Sequence, residues 1–510
     1  MSPRQNPNVL LVTFDQWRAD AVGHLGAPVV RTPTADRLAA RGVSFARHFV
    51  QATPCGPSRA CLWTGLHQMT NRVVRNGAPL DQRFDNLAAA MRRIGYEPAL
   101  FGHADQVPEP WETDPTRRRR WQGELNGFTE VLERADDPTG WLDWLAARGI
   151  PKPNEPWQIF LPKGEAPPRP APLEPQFNRH QTESAYMADA FLDWAAGEPA
   201  DRPFFAHLSF FAPHPHWIVP DPFRTMYDPA DGPAFKRAAT AAADAAVHPV
   251  VANHMRKTLG SDFACGSESI PASRWSEADF RQARATYWGM VTEVDAQLGR
   301  LLDGLDALGR SDTLVILTSD HGEQLGDRHT LGKFGFYDES YHVPLIIADP
   351  RRPAGHGTVV KDFTATIDLF PTLLDCLGGQ AKHPLDGRTL LPWLNGERPA
   401  DVRDAVYWEA DYRDAAAALG GPLDIHPDHA NLAVARTHRY KYVGHADLPP
   451  LLFDLETDPQ ELRNLADHPA YTAVRLAMAE RLAAWRARHL DRRLTGILIN
   501  DRAIIDDRAR

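Results

Sequence analysis

The chain has 510 residues, 24% charged and 43% hydrophobic, enough to bury a large core as one large domain with a smaller companion. A formal net charge of −10 excludes general nucleic-acid binding, and the one concentrated basic run, Arg117–Arg120, reads as a solvated loop. Four cysteines, Cys55, Cys61, Cys265 and Cys376, without CxxC or Cys/His zinc spacing, exclude a disulfide scaffold and point to a reducing cytoplasm.

The start, "MSPRQNPNVLLVTFDQ", runs almost directly into a strand; the expectation is no signal peptide and no membrane span. Short apolar runs at 8–14, 98–102, 203–211, 313–319 and 344–349 predict buried strands of a parallel sheet. Helical patterns lie between them, at 33–41 and 86–95. The nine prolines of 151–175 exclude a regular element and predict an ordered excursion or lid. Residues 238–247 are Ala-rich and read as helix. In 281–306, Tyr287, Met290, Val291, Val294, Leu298, Leu301 and Leu305 recur at spacings of three and four, which predicts a long helix with one apolar face.

After about residue 398 the pattern changes. "AVYWEADY", "LAVARTHRYKYV" and "LLFDLETD" predict a small antiparallel sheet, followed by a helix with Val474, Met478, Leu482 and Trp485 on one face. The tail is too short to fold alone; it either packs on a second subunit or frays. The expected class is a layered α/β fold, divided into a catalytic domain at 1–398 and a C-terminal subdomain at 399–510.

The polar residues at the strand ends carry the chemistry. Asp15-Gln16 closes the first strand, His103 and Asp105 the second, His214 the third, and Asp320-His321 the fourth. In open parallel sheets ligands bind outside the carboxyl ends of the strands. One such residue is more often a helix cap or loop residue; four together make a site. Carboxylates with an amide oxygen suit a hard divalent cation, and an imidazole shifts the preference toward one such as Mn²⁺. Asp15, Gln16, Asp320 and His321 are the candidate ligands.

Cys55 opens "CGPSRACLWTG", with Pro57 in a first helical turn. That places the thiol, with Arg59 one turn on, at the positive end of a helix dipole, a place to bind a tetrahedral oxyanion. The Cys-phosphatase loop fails on spacing, since position 61 is another Cys.

"CGPSR" followed by "LWTG" resembles the signature of type I sulfatases, in the alkaline phosphatase superfamily. "FDQWRAD", "TPTADRLAARGVSFARHF", "SDHGEQLGD", "DLFPTLLDCLGG" and "LFDLETDPQELRNLA" resemble sulfatase segments in the family's order, so the resemblance covers nearly the whole chain. It implies an alkaline-phosphatase-like sandwich of helices around a large, mostly parallel sheet. It also implies that Cys55 is oxidised by a maturation enzyme to formylglycine, whose hydrated aldehyde is the nucleophile.

Carried over residue by residue, the resemblance makes Asp15, Gln16, Cys55, Asp320 and His321 the ligands of one metal, Mn²⁺, Ca²⁺ or Mg²⁺. Arg59 and Lys333 would stabilise charge, Asn76 would contact a substrate oxygen, and His214 would protonate the leaving group. His103 and Asp105 would face the substrate. They stand where sulfatases usually carry Lys and His, and where the similar phosphonate monoester hydrolases carry Tyr and Thr. The expected activity is an arylsulfatase with promiscuity toward phosphonate monoesters and phosphodiesters. The alternatives are a phosphonate monoester hydrolase and, from another class, a protein that holds an anion without cleaving it. A homodimer or homotetramer is expected, with neither nucleic acid nor membrane as partner.

Overall fold

The computed structural model describes residues 6–106, 125–133, 138–333, 335–490, 497–499 and 504–506. The run Arg117–Arg120 lies outside them. No helix among the described residues is long and apolar enough to cross a membrane.

The first strand, Val9–Phe14, is buried along its whole length. Its side chains alternate between two cores: Leu10, Val12 and Phe14 enter one, Val9 and Leu11 the other. A strand apolar on both faces belongs in a sheet covered on both sides. It sits fifth in an eight-stranded sheet ordered Thr358–Val360, Val43–Phe45, Leu345–Ala348, Leu314–Ser319, Val9–Phe14, Phe205–Phe210, Pro98–Gly102, Thr129–Glu133. The long helix Glu277–Ala307 lends Tyr287, Val291, Val294, Leu298 and Leu301 to the first core. Its start is fixed by a capping box in which Ser276 and Asp279 satisfy each other's backbone N–H. Helices Cys55–Thr64, Leu87–Arg93 and Leu369–Leu377 supply the second.

Seven of the eight strands run parallel to a neighbour, but Leu345–Ala348 is antiparallel to both of its own. The expectation of a parallel strand there is corrected. Among the described residues, the connection after Ser319 holds only the short turns Asp327–His329 and Asp338–Tyr341 and no long crossover helix, so the next strand runs antiparallel.

Within 238–247 the helix is limited to Ala241–Ala245. The Pro-rich stretch holds one short 3₁₀ turn, Pro156–Phe160, and is otherwise irregular. The C-terminal strands Ala405–Asp411, Asn431–Thr437, Tyr440–His445 and Leu451–Asp454 form an antiparallel sheet, against which helix Thr472–Arg488 packs Met478, Leu482 and Trp485. A fifth strand comes from far upstream: Ala52–Thr53 pairs in parallel with Glu409 and Ala410. The helix opened by Cys55 is thus braced against the C-terminal sheet as well as the large one. In the tail, Ile497–Ile499 and Ile504–Asp506 pair with each other.

Candidate active site

The register brings the strand ends level. Phe14 pairs with both Phe210 and Ser319, so the chain leaves three adjacent strands side by side. Asp15 and Asp320 continue the ladder by one bond each, to Phe210 O at 3.0 Å and Phe14 O at 3.2 Å. Gly102 ends its strand with φ +98°, and a Cβ there would stand 2.5 Å from Ser209 O, so only glycine lets the backbone deliver His103 to this edge.

Cys55 is the first residue of a fully buried helix, as its sequence context implies. Around it, Asp15, Cys55, Asp320 and His321 place their ligand atoms within 4.8 Å of one another. Cys55 Sγ is 3.2 Å from His321 Nε2 and 3.9 Å from Asp15 Oδ1. His321 Nε2 is 3.6 Å from Asp15 Oδ1 and 3.7 Å from Asp320 Oδ1. His321 Nδ1 donates to Gly322 O at 3.0 Å, which leaves the Nε2 lone pair facing the carboxylates, the tautomer a metal ligand needs. Asp320 is held from behind: Oδ1 accepts from the N–H of Gln16 and of His321, and Oδ2 accepts from Arg59 Nε at 3.0 Å. Two carboxylates and an oriented imidazole, all buried, suit a hard divalent cation.

Burial penalises the charge of Asp15, yet His214, His103 and Lys333 hold its carboxyl well below the usual range. Burial and the neighbouring Asp15 push the Cys55 thiol well up, so an unmodified Cys55 is a poor nucleophile.

Arg59 is 1% exposed and spends its guanidinium on Asp320 Oδ2, Ser209 Oγ at 2.6 Å and His103 O at 3.2 Å. It approaches Asp15 and Asp105 at 3.5 Å each. Asp105, with φ +54°, is a buried carboxylate in a left-handed conformation, and burial raises its pKa. His103 Nε2 lies 3.8 Å from both Asp15 and Asp105.

Lys333 Nζ donates to Gln16 Oε1 at 2.9 Å. Asn76 Oδ1 accepts the backbone N–H of Gly56 at 2.9 Å, so this amide anchors the start of the Cys55 helix. His214 packs against Phe211 with ring centres 4.4 Å apart and the planes tilted by 39°, and it donates from Nδ1 to Pro215 O at 2.8 Å. Burial and Lys333 push its pKa well down, which makes its protonated form a stronger acid. Phe211 and His214 border a recess with an aromatic wall of Phe160, Trp141 and Phe177 and a polar side that includes Thr182, Ser184 and Glu293. Trp217 is instead a core residue, packed on Phe263 and Tyr287. His329, outside the cluster, pairs with Asp244 at 2.6 Å.

Glu323 escapes sequence reasoning. It is fully buried, accepts the Gln16 amide hydrogen, and receives the N–H of Leu325 at 2.9 Å and of Gly332 at 2.5 Å. The only sequence signal is its place three residues after Asp320. Ser58, the serine of "CGPSR", donates its hydroxyl to Asp320 O, whereas Ser209, which binds Arg59, carries no signal of its own in the sequence.

The sulfatase family model matches residues 7–379, and that of the N-sulphoglucosamine sulphohydrolase C-terminal region matches 326–488. Among curated proteins, the multifunctional alkaline phosphatase superfamily protein PehA of Trinickia caryophylli is 40% identical over 503 residues, 96% of each chain. Among solved structures, the phosphonate monoester hydrolase of Agrobacterium radiobacter superposes with a TM-score of 0.93 at 45% identity, covering 98% of this chain and 99% of that one. The phosphonate monoester hydrolase SpPMH of Silicibacter pomeroyi gives 0.90 at 34%, covering 99% and 100%. With its strand-end cluster, its Cys55 helix and these whole-length likenesses, the chain belongs to the sulfatase family of the alkaline phosphatase superfamily.

Proposed function

We propose that this protein is a metal-dependent hydrolase of monoanionic esters, with phosphonate monoesters as its first substrate class and sulfate monoesters as its second. The observation that carries the phosphonate preference is the likeness to the Agrobacterium radiobacter enzyme, 45% identical along 98% of this chain. The sulfate reading is supported by the match of the sulfatase family model to residues 7–379.

Asp15, Asp320 and His321 would hold one divalent ion together with residue 55, and Gln16 would add its amide oxygen. When bound, the ion lowers the pKa of the attacking hydroxyl and polarises a substrate oxygen. Residue 55 would act as formylglycine, because the buried thiol itself is held protonated. The rest is done by the chain's own groups. Arg59 and Lys333 put two fixed cations beside the position of the transferring group, in a buried setting where they need no reorganisation. They face four carboxylates, Asp15, Asp105, Asp320 and Glu323, and one divalent ion then brings the site close to neutral. With no surplus of positive charge to hold a dianion, the balance favours a monoanion. His214 donates from Nδ1 to Pro215 O, and as the imidazolium, the form that Asp15 favours, it would give its Nε2 proton to the leaving oxygen, while the recess beside Phe160 and Phe211 would take the leaving group.

The test is kcat/KM for a phenylphosphonate monoester and a sulfate monoester sharing one aryl leaving group. Phosphonate should win by more than about tenfold, ~1.4 kcal/mol of transition-state stabilisation. A sulfate preference of that size reverses the order of the two classes, and turnover of neither overturns the reading.

A further inference from the structure

We propose that the cavity bordered by Arg284, Phe235 and Trp288 is a binding site for a small organic monocarboxylate, held by the Arg284 guanidinium. None of its residues belongs to the strand-end cluster, and it needs no metal.

Arg284 lies on the long helix Glu277–Ala307 and is 5% exposed. Its Nε and Nη2 are buried with no hydrogen-bond partner. Nη1 meets no acceptor among the described residues either, and it is the nitrogen left open where Arg284 lines the cavity. Arg18, Arg59 and Arg328 are buried as deeply, yet each has carboxylates beside it that raise its pKa. Burial instead pushes Arg284 down to about 10, against the pull of Asp327. The carboxylates near Arg284 are already spent. Both oxygens of Asp20 accept from Arg18. Asp327 Oδ2 accepts from Arg18 Nη1 at 3.0 Å, and its Oδ1 accepts the N–H of Lys236 at 2.7 Å.

Aromatic rings surround the guanidinium: its carbon is 4.1 Å from the Phe235 ring centre and 5.1 Å from that of Trp288. Such faces attract the cation but leave its N–H groups without an oxygen acceptor. A Cβ at Gly232 would overlap Nη2, so glycine is what admits the group there. A buried cation without an anion is costly, and a ligand's charge would offset it.

The cavity holds about 370 Å³, within the range of small-molecule sites. Trp288 adds an indole N–H that has no acceptor among the described residues. Leu25, Val30 and Leu325 complete apolar walls. One unpaired cation calls for a monoanion, and Asp20 and Asp327, which also line the cavity, repel a second negative charge. A planar guanidinium matches a carboxylate, and the rings take the apolar body that carries it.

The experiment is equilibrium dialysis of the whole chain against labelled benzoate. The expected result is saturable binding of one benzoate per chain. Benzamide, the neutral isostere, should bind the parent more than about tenfold more weakly, because it lacks the charge that Arg284 would pair with. Arg284→Met should lower benzoate affinity by more than about tenfold, and Arg284→Lys, which keeps the charge, by less. Unchanged ester turnover in both variants reports an intact fold. Lys333→Met, at the ester centre, should leave benzoate binding as it is. The absence of saturable benzoate binding overturns the site, as does equal affinity for benzamide, and neither result depends on a variant that folds. Benzoate binding undiminished in Arg284→Met, or lost in Lys333→Met, puts the anion elsewhere and overturns the assignment.

Discussion

The carboxylate of Glu323 accepts the amide hydrogen of Gln16, and this bond decides which end of the amide faces Lys333. A carboxylate can only accept and an ammonium can only donate. A flipped amide would set oxygen against oxygen at one end and nitrogen against nitrogen at the other. Glu323 therefore supplies the orientation that a neutral Gln16 needs. Glu323→Gln, which can present either a donor or an acceptor, should weaken metal binding or kcat/KM by ~10–100-fold, the range for outer-shell partners. Metal affinity measured alongside turnover checks it; an unchanged affinity would remove Glu323 from the site's machinery.

Arg59 reaches Asp320, Ser209 and the His103 carbonyl with one planar guanidinium. Lysine keeps the charge but cannot span three directions. Arg59→Lys should lower kcat/KM on the order of 10²-fold, the scale for losing one preorganised donor in an active site. Steady-state kinetics on the phosphonate ester decides it, and a loss below about threefold would show that charge alone suffices.

If His214 protonates the leaving group, its removal should matter most where the leaving group is poor. His214→Ala should lower kcat by ~10²–10⁴ for an alkyl ester and by less than ~10 for a nitrophenyl ester. A linear free-energy plot against leaving-group pKa should steepen in the variant. Equal losses across the series would assign His214 to binding instead.

Much of this geometry is legible in the sequence because each strand is a short apolar run ending in a polar residue, as in "LLVTFDQ" and "VILTSDHG". Direction is not legible: an apolar tetrad such as Leu345–Ala348 reads the same in either sense, and the connection before it decides. The strands Val43–Phe45 and Thr358–Val360, three residues each, are too short for periodicity to reveal, and Thr129–Glu133, "TEVLE", mixes polar with apolar residues and forms no apolar run. The pairing of Ala52–Thr53 with Glu409–Ala410 depends on the tertiary fold and leaves no local trace. Asp15, Cys55, Asp320 and His321 stand out by residue type at strand and helix ends. Glu323 does not, because its role lies in what it touches.

Acid should unfold this protein through its buried histidines. Burial lowers the pKa of His48, His67 and His445 to about 3 each. Below pH ~6.5 the unfolded chain takes up protons at these rings that the folded chain refuses. Their contribution is therefore complete above about pH 6.5 and is lost as pH falls toward 3, at about 1.4 kcal/mol per pH unit for each ring. Denaturant midpoints at pH 7 and 5.5 should show the fall, and His48→Asn should make it shallower. Stability independent of pH across this range would contradict the assignment.

The claim on which the account turns is that residue 55 works as formylglycine rather than as a thiol. The direct measurement is the mass of the Cys55 peptide from enzyme with demonstrated ester turnover. The account predicts a peptide that has lost one sulfur and two hydrogens and gained one oxygen, that reacts with a carbonyl-specific hydrazide, and that disappears together with turnover in Cys55→Ala. A fully active preparation whose Cys55 peptide carries only an alkylatable thiol would contradict it.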